Sequence, residues 1–200
     1  MTTLLIQSET MPLTVHLPSL GQLTNEQFYE LCQINSDLRL ERSASGEVII
    51  MPPAFSDTGN RNMRLAQQVT NWADQDGTGE PFDSSAGFTL PNGAIRSPDA
   101  SWINFDRWNA LTDEQKASFA PICPDFVVEL RSSSDTLKSL QNKMQEYIEN
   151  GATLGFLIDR KNRSVQVYRP ARSPEILSNP EAVTGDPELP GFVLQMEKIW

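Results

Sequence analysis

The chain has 200 residues, 38% hydrophobic and 21% charged, which suits one soluble domain with a core and includes no apolar run near the roughly 18 residues of a membrane-spanning helix. Its net charge of −10 argues against tight non-specific DNA binding, because phosphate neutralisation needs Lys and Arg. A single histidine, His16, excludes histidine-based zinc centres, a Ser-His-Asp triad and histidine-metal nucleases.

Residues 1–20 lack periodicity, carry Pro12 and Pro18, and read as an N-terminal arm or a loosely docked strand ahead of one domain over 21–200. No basic residue precedes Arg39 and no signal-peptide pattern opens the chain. Cys32 and Cys123 are far apart, so they are expected to be buried free thiols of a cytoplasmic protein. Thr24-Asn25-Glu26-Gln27 is a capping box that opens a helix through Ile34, with Phe28, Leu31 and Cys32 inward. Leu38 to Met51 reads as a hairpin turning at Ser45-Gly46 and ended by Pro52-Pro53.

Asp57 is the expected N-cap of a helix to Asp76, with Met63, Ala66, Val69 and Trp72 inward and Gly77 closing it. Gly79 to Leu90 and Arg96 to Ile103 read as two strands around an Asn92-Gly93 turn. An insertion over 106–119 carries a short helix capped at Thr112. Phe126 to Leu130 is a central strand, and Asp135 to Asn150 a helix ending at Gly151. Leu154–Asp159 and Val165–Tyr168 are strands, 171–188 is loop, and Gly191–Leu194 adds a last short strand. The order predicts an α/β fold, a mixed sheet flanked by helices with an N-terminal helix and hairpin.

Two acids stand out in this frame. Asp99 lies in Arg96-Ser97-Pro98-Asp99-Ala100-Ser101, and Glu129 ends Phe126-Val127-Val128-Glu129. Such β-type positions normally take Val or Ile, and an unpaired buried carboxylate is costly. Two of them on adjacent strands converge and repel unless a cation lies between them. A hard divalent ion, Mg²⁺ or Mn²⁺, suits an all-oxygen site, and phosphodiester cleavage is a reaction such sites support. The bland readings are a strand-edge residue or cap for Asp99, and pairing with Arg131 for Glu129.

On the following helix the apolar stripe is Leu137, Leu140, Met144, Tyr147 and Ile148, with Lys143 at its border. A border lysine either snorkels or turns inward to the acids. Tyr147 reads first as packing. Glu47 is either a third acid near the site or a hairpin surface residue. Arg61, Arg64, Lys138, Lys161 and Arg163 form no single basic patch in sequence.

Taken together, Arg96-Ser97-Pro98-Asp99-Ala100-Ser101, Pro124-Asp125-Phe126-Val127-Val128-Glu129, Ser133-Ser134-Asp135, Lys143, Tyr147 and Gly151 resemble the Uma-two family. That family belongs to the PD-(D/E)XK, or restriction-endonuclease-like, superfamily, and the resemblance covers about residues 24–200. It implies a Mg²⁺- or Mn²⁺-dependent endonuclease acting on DNA, with Asp99 and Glu129 as metal ligands. The superfamily's lysine two places after the second acid is Arg131 here, which cannot act as a base near neutral pH. Lys143 matches a helix lysine that substitutes for it in the family, leaving Arg131 as a phosphate contact. The region 57–60 lacks a histidine the family often has, and Thr136 stands where an arginine is common. A catalytically silent binding module and a self-associating partner of a toxin or defence system are the alternatives. A homodimer is expected, since each site cuts one strand, and light scattering tests it.

Overall fold

The computed structural model describes residues 13–15 and 23–200. The expected arm over 1–20, with His16, lies outside the described residues except for strand β1 (Leu13–Val15). Helix α1 (Asn25–Ile34) starts at the anticipated capping box, in which Thr24 accepts from Gln27 and Gln27 returns the bond. Strands β2 (Arg39–Arg42) and β3 (Val48–Met51) form the hairpin, with Gly46 at φ 88° in its turn.

Helix α2 (Ser56–Asp76) is capped by Phe55 rather than Asp57 and closes on left-handed Gly77. Its buried stripe is Leu65, Val69 and Ala73, with Trp72 packed beside them. Met63, expected inward, is exposed. The i, i+4, i+8 spacing of the buried set lets Trp72 pack its ring on Trp102 and Phe192.

Each expected strand flanking the Asn92-Gly93 turn divides in two. β4 (Gly79–Asp83) and β5 (Phe88–Thr89) are separated by a turn in which Asp83 accepts from the Ser85 N–H. β6 (Ile95–Arg96) and β7 (Ala100–Asn104) are separated by Ser97-Pro98-Asp99. Pro98 has no N–H to give a ladder, so the chain leaves one sheet there and enters another. That crossing sets Asp99 at the junction of two sheets.

Helices α3 (Phe105–Trp108) and α4 (Asp113–Lys116) occupy the insertion, the second capped at Thr112 as read from sequence. Strand β8 (Phe126–Leu130), helix α5 (Leu137–Glu149, capped by Thr136) and strand β9 (Leu154–Asp159) follow. Strand β10 (Ser164–Tyr168) pairs with β11 (Glu175–Ser178), a strand inside the stretch read as loop. Its sequence has no alternation to announce it, and the pairing with β10 defines it. Strands β12 (Ala182–Thr184) and β13 (Val193–Gln195) make a small separate ladder.

The larger sheet runs β11-β10-β9-β8-β7-β4, and the smaller β1-β3-β2-β6-β5. Every pair in both is antiparallel except β8–β9, which α5 connects. The period-2 alternation of β8 sends Phe126, Val128 and Leu130 to a core shared with α2 and the C-terminal strands. Val127 and Glu129 face α5, where Met144 and Tyr147 are fully buried. This is a mixed α/β sheet flanked by helices, as the sequence predicted. None of the described helices is long and apolar enough to cross a membrane.

Gly79 shows how tightly α2, β4 and β7 close. A Cβ there would lie 2.3 Å from the Ile103 carbonyl oxygen and 2.4 Å from the Trp102 ring. Backbone and a packed indole cannot step aside cheaply. Gly79→Ala is therefore expected to destabilise the fold by about 3 kcal/mol, seen as a lower urea midpoint at unchanged slope.

Candidate active site

The β7–β8 register pairs Ala100 with Val128, so the next residue back on one strand and forward on the other, Asp99 and Glu129, stand opposite each other. Directly opposite residues share a face of the sheet. That face lies toward α5, at the floor of a cleft of about 1360 Å³. Hairpin β2–β3 and the segment 52–55 border the cleft on one side, and the 132–135 loop and α5 on the other.

Asp99 is half-buried, and both its oxygens are held. The Leu130 N–H donates to Oδ2 at 2.8 Å and the Asn62 amide to Oδ1 at 2.7 Å. Burial pushes its carboxyl above the usual carboxylate range, against the Leu130 N–H and the positive charge of Lys143. Glu129 is 5% exposed. Its Oε1 accepts from the Tyr147 hydroxyl at 3.0 Å and lies 2.8 Å from Lys143 Nζ. Burial pushes Glu129 up to about 7, with Asp99 and Glu41 adding to the rise and Lys143 opposing it.

Lys143 is the hub of the site. Its side chain is only 12% exposed, and its ammonium meets Glu129 and, at 2.9 Å, Oε1 of Glu41. Burial lowers its pKa, but the two carboxylates outweigh that and hold it above the ordinary lysine value. The lysine is therefore a fixed cation here, not a reservoir of protons at neutral pH. Tyr147 is buried, so packing and hydrogen bonding coincide in one residue, and burial raises its hydroxyl pKa.

Glu41 and Arg96 had no role in the sequence reading. Glu41 is on β2, 4% exposed, and also accepts from the Ser97 N–H at 3.0 Å and from Arg96 Nη1 at 3.1 Å. Burial alone would raise Glu41, and Lys143 and Arg96 reverse this to hold it below the usual range. Arg96 continues to Glu146 at 2.6 Å, which ties β6 to α5. The signal for Glu41 was the one used for Asp99: an acid beside Leu40 in a strand. Glu47, the acid weighed instead, lines the same cleft and accepts from Ser43 at 3.4 Å. Asn62 sits on α2 one turn before Leu65, and no motif marks it.

Arg131 is placed elsewhere. It donates to Asp159 Oδ2 at 2.8 Å and to the Asp135 carbonyl at 3.3 Å, and it is not among the residues lining the cleft. β8 ends at Leu130, so Arg131 no longer follows the alternation that put Glu129 on the site face.

The donor set fits a hard divalent cation. It is all oxygen, two of its members are carboxylates on one face, and both hydrogen bonds to Glu129 meet Oε1. The buried Oδ1 of Asn62 has no hydrogen-bond partner, an acceptor left open beside Asp99. No group of three or more His, Cys, Asp or Glu suited to a metal occurs among the described residues, so any ion would rest on two carboxylates, neutral oxygens and water.

Comparison with known proteins agrees with this architecture. Residues 25–197 match the Uma2 family, described as "Putative restriction endonuclease". No curated protein matches. Four solved chains match, among them one described as a "putative nuclease belonging to DUF820 from Anabaena variabilis". It is 18% identical, the match covers 88% of this chain and 97% of that one, and the TM-score is 0.73, a likeness of fold.

Proposed function

The chain belongs to the Uma2 family, described as "Putative restriction endonuclease", and from that premise we propose that it is a Mg²⁺- or Mn²⁺-dependent endonuclease hydrolysing phosphodiester bonds in DNA. The observation that carries the reading is the placement of Asp99 and Glu129 one residue beyond the Ala100–Val128 pair of β7–β8, with the Lys143 ammonium 2.8 Å from Glu129. In this reading Asp99 and Glu129 hold the ion, with the Asn62 carboxamide oxygen beside them. A bound divalent ion lowers the pKa of its water and offsets charge on the phosphate.

The remaining steps belong to the side chains. Asp99 is kept in place by the Leu130 N–H and the Asn62 amide, so its geometry does not wait for substrate. Glu129 is aligned by Tyr147. Lys143, charged through the whole neutral range, orients the attacking water or meets a phosphate oxygen as charge grows there. Glu41, itself bonded to Arg96, holds Lys143 in position. Arg131, bonded to Asp159, fixes the end of β8 instead of serving as the phosphate contact.

Supercoiled plasmid and labelled oligonucleotides, incubated with Mg²⁺, Mn²⁺ or EDTA, test this. Cleavage with either ion, none with EDTA, and none by Asp99→Asn are expected. Absence of metal-dependent cleavage on every DNA tried would contradict it and favour a silent nuclease-fold module.

A further inference from the structure

The cleft above the acids has the wrong charge for a duplex. Among the described residues, Arg39, Arg96 and Lys143 line it as cations, against six carboxylates. Arg96 and Lys143 are already committed to Glu41, Glu146 and Glu129. A duplex-binding surface typically takes up roughly six to ten phosphates with Lys and Arg. One uncommitted arginine cannot do that.

The cleft does offer apolar and aromatic surface. Met51-Pro52-Pro53-Ala54-Phe55 line it, together with Leu38, Leu40 and Ile49. Phe55 is 66% exposed at the start of α2. Asn62, bonded to Asp99, lies seven residues on, about 10 Å along the helix. Ser132, Ser133 and Ser134 line the cleft as well. An exposed aromatic face lining the same cleft as the acids, few cations and neutral donors suit unpaired bases.

Resting on the nuclease reading above, we propose that the site takes a single strand, with an unpaired base stacked on Phe55 and the neighbouring phosphate over the cation site that Asp99 and Glu129 would form. Duplex regions are then cut only where they open.

Fluorescence anisotropy tests this with a 20-nucleotide single strand and its blunt duplex, using Ca²⁺ in place of Mg²⁺. The single strand is expected to bind at least tenfold tighter. Its log–log salt slope should be no steeper than about −2, three phosphates' worth. Phe55→Ala should weaken single-strand binding about tenfold at the same slope, a typical stacking loss. Phe55→Trp should retain it, and circular dichroism will show both variants folded because so little of Phe55 is buried. Duplex binding as tight as single-strand binding, or Phe55→Ala binding like wild type, overturns the inference. If wild type cuts a blunt linear duplex in Mg²⁺ as fast as the single strand and Asp99→Asn does not, the nuclease reading stands and this inference falls. If wild type neither binds nor cuts any strand, the nuclease reading falls and takes this inference with it.

Discussion

Lys143→Ala is expected to abolish metal-dependent cleavage, with a loss of a hundredfold or more, and to weaken the fold as well. The first effect follows from the position of the ammonium, 2.8 Å from Glu129 at the cleft floor. Removing a preorganised charge of this kind costs about 10²–10³ in rate. The second effect follows from what remains. Glu41 and Glu129 are both nearly inaccessible, and without the lysine they face each other across an apolar gap. Breaking a buried pair by deleting one partner costs roughly 3–5 kcal/mol. Position alone, at the border of the helix stripe, would suggest little packing loss, but the side chain is 12% exposed and bonded at both ends. Lys143→Met keeps the stem and separates the effects. Assayed at a temperature where circular dichroism shows it folded, it should still be inactive. Cleavage by Lys143→Met at the wild-type rate would remove the residue from the reaction.

Glu129→Gln is the second large effect, and it reads out in both activity and pH. The carboxyl sits at about 7 in the fold against 4.5 as its ordinary value. A raised carboxyl means that the folded state holds a proton the unfolded state has already released. Its contribution is full below about pH 4.5 and is lost as pH rises through 7. Metal-free wild type should therefore lose on the order of 3 kcal/mol of stability between those values. Glu41 acts oppositely. Held low by Lys143 and Arg96, it contributes above its ordinary value and loses that as acid protonates it. Glu129→Gln should flatten the fall between pH 4.5 and 7 and leave the acid limb from Glu41 in place. It should also abolish cleavage. Urea titrations at pH 3, 4, 5, 6, 7 and 8 measure this. A variant as pH-sensitive across that window as the wild type would show that Glu129 is not the group responsible.

The acids were legible because a strand cannot hide a carboxylate. Asp99 and Glu129 interrupt β-type runs, and their separation in sequence fits two neighbouring strands. Lys143 was legible from helical periodicity, since its angle on α5 sets it beside Leu140 and Tyr147 at the border of the stripe. Glu41 was not. The hairpin was read without its burial, whereas β2 is covered on both faces, and Leu40, Glu41 and Arg42 are all buried. Burial on both faces depends on which sheet a strand joins, and a single sequence does not carry that pairing. The same limit explains the strands that divided. Pro98 was read as part of the Asp99 motif, yet its missing N–H also moves the chain from the small sheet to the large one. Asn62 depends on the rotation of α2, which Leu65, Val69 and Ala73 fix and the expected Met63 stripe would have shifted. β11 exists through its partner β10 and has no local signature of its own.

The central claim is that Asp99 and Glu129 hold one divalent cation. A crystal soaked in Mn²⁺ and measured at the manganese absorption edge tests it directly. The account predicts one anomalous peak between the two carboxylates, with oxygens of both at about 2.1 Å. Manganese bound at other carboxylates in the same crystal, with no peak between Asp99 and Glu129, would contradict it.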